Sequence, residues 1–337
     1  MRAMVLEGHA PIETAPLKLA DLPTPVPQGG QILIKVSVCG ACHTDLDEIE
    51  GRLSPPNFPI VLGHQIVGTV ADKGNAATRF ETGDRVGVTW LYWACGKCRF
   101  CLAGKENLCD RAQWTGKDAH GGYAEYMVIS EDFAHRIPDG FSDLQAAPLL
   151  CAGVIGYRAV SLAEITDGQI IGLFGFGASA HIVIQILRHE FPGSLVFVFT
   201  RGAEHKELAA SLGAAWAGSP GEQPPERVAR AIDFTPAGES VRDALTVMEK
   251  GGRLVINAIR KSTAVPQLDY AEHLWLEKEL KSVANVTRRD AVEFLPLAAQ
   301  VPIACHVQQF GLAEANEALM SLKQARIRAA AVLAVAE

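Results

Sequence analysis

Up to about residue 150, apolar positions come in short β-rich runs such as GQILIKVSVCG, IVGTVADKG, GDRVGV and YAEYMVI, separated by Gly, Pro and Asp. This pattern predicts strands joined by turns, and so an irregular all-β domain. From about 153 to 285 the pattern changes. IIGLFGFG is followed by an apolar helix, ASAHIVIQILRHE, then SLVFVFT, the helix AEHKELAASLG, RAIDFTP and GGRLVINAI. Strands alternating with helices predict βαβ units around a parallel sheet. The tail, 286–337, carries NVTRRDAVEFLPLAAQ, ACHVQQFGLAEANEALMSLKQA and a final apolar strand, AAAVLAV. No internal repeat is evident, and GSPGEQPPE reads as an exposed loop.

At 337 residues the chain exceeds what one core organises, and 48% hydrophobic content supplies two domains. A net charge of -7 with scattered Lys and Arg argues against nucleic-acid and polybasic membrane partners, which need a concentrated positive face. A small-molecule partner fits better. The start, MRAMVLEGHAPIE, has no signal-like apolar run, and about eighteen consecutive apolar residues occur nowhere. The expectation is a soluble cytoplasmic protein.

That compartment bears on WACGKCRFCLAGKENLC, which places Cys95, Cys98, Cys101 and Cys109 within fifteen residues. In a reducing cytosol such a cluster reads as a metal site before it reads as disulfides or unrelated thiols. Four thiolates close a tetrahedral zinc and leave no position for water, so the site is structural. The lobe 95–109 is filled by Gly96, Lys97, Arg99, Gly104, Lys105 and Glu106, which bury little apolar area, so the metal is expected to pin it.

GFGASAH follows a predicted strand and opens a helix. Gly175 permits the tight turn, Gly177 lets the backbone approach a pyrophosphate at the positive helix end, and Ala180 takes the third position of the GxGxxG pattern. The next strand ends in VFTR, where Thr200 offers no carboxylate to a ribose hydroxyl and Arg201 suits a 2'-phosphate. NADP is therefore favoured, with NAD the alternative and a solvated Arg201 the bland reading. A second donor set is spread over CGACHTD, GHQIVG and PLLCAG. Two cysteines and a histidine from such loops would give a three-ligand zinc with an open fourth position, which is the catalytic arrangement. Spacing leaves open whether these loops meet and whether Cys39 or Cys42 is the first ligand.

CHTDL, GHQIVG, the four-cysteine lobe, HGGYAEY, PLLCAG, GFGASAH and SVANVTRRD stand in the order found in the zinc-dependent medium-chain alcohol dehydrogenases. The chain resembles that family over essentially its whole length, and most resembles its bacterial and yeast-like branch. The resemblance implies an α/β protein: a GroES-like β-barrel catalytic domain (1–152 and 286–337) and an inserted Rossmann domain (153–285). It implies two zinc ions per chain, the catalytic one on Cys42, His64 and Cys151, with Cys39 an ordinary buried residue. Asp45 becomes the acid that orients the histidine ligand. Thr44 corresponds to the hydroxyl that takes the substrate proton, His43 to a basic residue near the pyrophosphate, and Leu53 and Trp90 to pocket walls. The implied activity is reversible hydride transfer between a primary or secondary alcohol and NAD(P), aided by a zinc that lowers the alcohol's pKa. A homotetramer is expected, with a homodimer as the alternative.

Three positions depart from the family pattern. Gln65 stands where glutamate usually follows the histidine ligand, and Asp47 where close relatives carry a proton-relay histidine. Ala330 takes the place of an arginine near the pyrophosphate, leaving Arg328, two residues earlier, as the candidate contact. The rival readings are a polyol or formaldehyde dehydrogenase with the same zinc chemistry, a zinc-free quinone or enoyl reductase, and a non-enzymatic zinc protein.

Overall fold

A computed structural model describes residues 1–327 and 330–335. The chain divides into two compact units: Met1–Cys151 with Val286–Ala299 and Ala304–Glu337, and Ala152–Asn285 with Gln300–Ile303. Ala152 and residues 300–303 thus fall in the second unit.

The first unit is organised by one long strand, Gln31–Ala41. Ile32, Leu33, Ile34 and Val36 are buried and Lys35 exposed in its first half, and Val38 to Ala41 are all buried in its second, so the strand is covered on both faces toward its end. This strand pairs antiparallel with Gln65–Lys73 along one edge. Its other edge is shared by Tyr126–Ser130 in its first half and by the C-terminal strand Ala330–Ala334 in its second. Leu333 lies opposite Cys39 and Gly40 opposite Gln65, so the tail closes the sheet where the segment bearing Cys42 leaves it. Ala330 is buried in that strand, opposite Val307.

The second unit holds a six-stranded parallel sheet. Across it the strands run Trp216–Gly218, Leu195–Phe199, Ile170–Phe174, Val228–Asp233, Met248–Ile256 and Glu279–Ser282. Numbered along the chain this order is 3-2-1-4-5-6, a doubly wound dinucleotide-binding sheet with its switch point between Ile170–Phe174 and Val228–Asp233. Alternate residues serve opposite faces. Leu173, Val198, Ile232 and Val255 join one apolar cluster, whereas Phe174, Phe199, Ala231 and Leu254 join another. Burial on both faces explains why these strands read as unbroken apolar runs. The α/β class expected from the sequence is present in both parts. The pattern gave no warning of the helix Ala152–Ala163 or of the two edge strands, Trp216–Gly218 and Glu279–Ser282.

Candidate active site

Cys42 follows the long strand and caps the helix His43–Ile49. Its backbone amide donates to Asp45 Oδ2 at 2.7 Å, and Tyr123 Oη donates to the same oxygen at 3.0 Å. The other carboxylate oxygen of Asp45 lies 3.3 Å from His64 Nδ1. One fully buried acid therefore fixes the Cys42 backbone and faces the imidazole. Gly63 makes this possible. Its φ is +93°, and a Cβ there would come within 2.4 Å of the Tyr123 ring and 2.7 Å of Cys39 Sγ. Cys39 is packing beneath the loop, its thiol turned to the Gly40 carbonyl at 3.7 Å.

Cys42, His64 and Cys151 each offer a donor atom within 4.8 Å of the others. His64 Nε2 is buried without a hydrogen-bond partner, while both cysteines are partly exposed. An orphaned imidazole nitrogen facing two thiols, with no fourth donor among the described residues, fits a tetrahedral metal with one open position. The Cys42 thiol is pulled well below its ordinary range by the proton of Cys151 and by His64, while Cys151 is pushed up by the same contact and by burial. Burial pushes His64 down, but Asp45 and the Cys42 thiolate more than offset it and hold the imidazole well above its usual value.

Thr44 is buried with Oγ1 3.6 Å from Cys42 Sγ. His43, next to it, is exposed. Asp47 is buried and its Oδ1 accepts from Arg52 Nε at 2.5 Å. Gln65 is buried against Gly40, where a Cβ would come within 2.6 Å of its Oε1. Leu53 and Trp90 are half-buried, and the Trp90 ring lies 5.9 Å from His64 and 5.0 Å from Trp114. Sequence reasoning assigned no role to Tyr123, although HGGYAEY contains it. It also passed over Glu48, whose burial only the fold reveals.

The four cysteines of the lobe also converge, each with a sulfur within 4.8 Å of the others. Cys98 Sγ is 3.6 Å from Cys101 Sγ, and the Cys98 amide donates to Cys95 Sγ at 3.3 Å. The Lys97 amide and Arg111 pull Cys95 down to about 5, whereas burial and neighbouring thiols push Cys101 up to about 12. The short helix Arg99–Leu102 has no buried residue, and Leu102 is exposed. Glu106, read only as a lobe residue that buries little apolar area, is itself buried and holds Arg288 through its backbone amide and guanidinium at 2.6–3.1 Å.

In the second unit Gly175 has φ +85° and ends the first strand of the parallel sheet. Gly177 caps the thirteen-residue helix Ala178–Glu190 and, as glycine, brings no capping side chain. A Cβ on Gly177 would meet nothing within 4 Å, so the turn leaves open space beside it. Ala180 is fully buried in that helix. This cradle fits a pyrophosphate. Thr200 is buried, its amide bonded to the Gly218 carbonyl, and Arg201 is exposed. Arg328 lies outside the described residues.

Residues 28–139 match the alcohol dehydrogenase GroES-like domain. A probable alcohol dehydrogenase AdhA of Mycobacterium tuberculosis is 41% identical, covering 99% of this chain and 97% of the relative. An alcohol dehydrogenase of Geobacillus stearothermophilus is 30% identical over 95% of this chain and 96% of its own. The crystal structure of the alcohol dehydrogenase from Aeropyrum pernix superposes with a TM-score of 0.88 at 25% identity, covering 99% of this chain and all of that one. Similarity of this extent, together with two donor sets and a dinucleotide cradle, shows that this chain belongs to the zinc-dependent medium-chain alcohol dehydrogenase family.

Proposed function

We propose that this NAD(P)-dependent alcohol dehydrogenase works through a zinc ion held by Cys42, His64 and Cys151, with a second zinc on Cys95, Cys98, Cys101 and Cys109. The observation that carries the reading is the meeting of the three separated donors around an unpartnered His64 Nε2, with Asp45 behind the ring. Residues 1–152 and 286–337 are taken as the catalytic domain, and 153–285 as the nucleotide domain. When bound, zinc supplies a Lewis acid for an alcohol or carbonyl oxygen, and the nicotinamide accepts or returns hydride.

The chain's own residues do the rest. Asp45 orients His64 and holds the Cys42 backbone, so the donors are arranged before any ion arrives. Thr44 Oγ1, beside Cys42, takes the substrate hydroxyl proton. His43 stands at the cofactor side, and Asp47 passes the proton outward. Arg52 Nε donates to Asp47 Oδ1 and holds that carboxylate in place. Trp90, beside His64, and Leu53 shape the substrate wall. Gln65 adds no charge next to the metal.

Gly175, Gly177 and Ala180 receive the pyrophosphate. Thr200 and Arg201 favour NADP. Primary, secondary and aromatic alcohols and aldehydes, each assayed with both cofactors, test the reading. Arg201→Asp is expected to lower kcat/KM for NADP by about tenfold or more, the worth of one charge-assisted phosphate contact, and to spare NAD. Unaltered constants for both would dismiss the NADP preference. A homotetramer is proposed from the exposed edge strand Glu279–Ser282 and the exposed apolar residues Trp275, Leu276 and Leu280 beside and on it, which suit pairing with another copy. Among the described residues no single helix is long and apolar enough to cross a membrane. The cytoplasm is the proposed compartment.

A further inference from the structure

Glu48 lies on the helix His43–Ile49, and none of its surface reaches solvent. Both carboxylate oxygens are buried without a hydrogen-bond partner, which holds for no other acid among the described residues. A buried carboxyl with nothing to accept from is costly, whether it keeps its charge or takes up a proton. A fold carries such a group where something else supplies positive charge.

Glu48 stands three residues after Asp45 on the same helix, one turn along the same face, and the ionisable groups that act on it electrostatically are Asp45, His64, Cys42 and Lys117. Asp45 and the Cys42 thiolate are of the wrong sign. Lys117 is already paired with Asp118 at 3.0 Å. His64 is already engaged by Asp45, 3.3 Å from its Nδ1, so none of these groups is left to Glu48 alone, and two of the four are metal donors. Glu48 is not among the donors that lie within 4.8 Å of one another, so it acts across space and not as a fourth ligand.

We propose that Glu48 is a positioning residue of the metal centre, a carboxylate outside the donor set whose charge is compensated when a dication sits among Cys42, His64 and Cys151. It tightens the hold on the ion at the expense of the metal-free fold. This inference rests on the zinc reading of those three donors. With Gln65 neutral, Asp45, 3.3 Å from His64, and Glu48, one helical turn beyond it, are the acids that this inference couples to the ion.

Glu48→Gln keeps the shape of the side chain and removes its charge. In the full-length, zinc-loaded protein, transfer to a chromogenic chelator reads both ions, with the ion of the four-cysteine lobe as internal reference. The ion of the three-donor set is expected to bind about tenfold more weakly in the variant while the lobe ion is unchanged. The metal-free variant is expected to melt at or above the wild-type temperature, and the gap between loaded and metal-free melting to narrow. Equal affinity, with loaded and metal-free melting shifted alike, would make Glu48 a packing residue and overturn the proposal. Glu48→Met, read the same way, decides the matter if the glutamine variant does not fold. A wild type carrying zinc only in the lobe sinks the zinc reading and this inference together. A wild type with both ions and an unaltered Glu48→Gln sinks this inference alone.

Discussion

The two donor sets are built in opposite ways. The lobe draws four sulfurs from fifteen consecutive residues, around a short helix, Arg99–Leu102, that buries no side chain of its own. The other set draws three donors from positions 42, 64 and 151, where a strand end, a glycine turn and the end of a 3-10 turn meet. Behind it stand Asp45 and Tyr123, both fully buried. On the proposed reading, the metal organises the chain in the lobe, whereas at the second site the chain organises the metal. The contrast explains why a closed site serves structure and an open one serves chemistry.

The largest expected effect separates the two directly. Cys42→Ala is expected to lose one zinc equivalent and to lower kcat by about a thousandfold or more, the several kcal/mol a Lewis acid supplies at the transition state. It should stay folded and melt no lower than the wild type stripped of that one ion, because the surrounding sheet holds without it. Cys98→Ser should do the reverse, keeping much of the turnover and losing roughly 2 kcal/mol of stability, or roughly 4–8 °C in Tm. Metal analysis, turnover and calorimetry on the two variants check the pair. Full activity with both metal equivalents in Cys42→Ala would break the comparison at its catalytic end. An unchanged Tm in Cys98→Ser would break it at the other.

The lobe was the more legible of the two from sequence, because local spacing carries the geometry of a local site. The dispersed set was not, since CGACHTD offers two thiols three residues apart and spacing cannot choose between them. Resemblance pointed to Cys42, and the packing of Cys39 against Gly63 gives the physical reason. The inner strands of the parallel sheet read clearly because both their faces are buried. The edge strand Glu279–Ser282 is exposed at every position, so no apolar run marks it. Glu106 reads only as a lobe residue that buries little apolar area and becomes a buried clamp only when Arg288, 182 residues away, arrives beside it. Long-range partners of this kind leave no local trace.

Acid is the obvious tool for stripping both metals, and the fold has its own acid-sensitive group. His135 is buried, neither ring nitrogen has a partner, and burial together with Arg79 and Arg288 pushes it down to about 4. Its folded value lies below its ordinary 6.5, so the unfolded chain takes up the proton first as pH falls. The stability it contributes is complete above about 6.5 and drains between there and about 4, by about 3 kcal/mol in all. His135→Phe is expected to flatten the acid limb in chemical denaturation between pH 7 and 4.5. An identical slope would remove His135 as its source, and acid release could then be read from the metal sites alone.

The smallest effect tests whether the lobe depends on its metal alone. Arg288 holds Glu106 and lies over the Phe133 ring at 4.6 Å, which ties the lobe to the helix Arg288–Gln300. Arg288→Ala leaves the Glu106 carboxylate without its cation. A fully buried pair broken this way would cost more, but the Arg288 side chain is 37% exposed, so solvent screens the loss to about 1 kcal/mol. The same change removes one of the two cations that push His135 down, so its folded value should rise toward 6.5 and the loss of stability in acid should be smaller and end at a higher pH. Combined with Cys98→Ser, the cost should fall short of the sum, since a lobe already loosened has less to lose from its clamp. Strict additivity in Tm would mean that clamp and metal hold separate parts of the lobe, and the contrast between a metal-made region and a chain-made one would need redrawing.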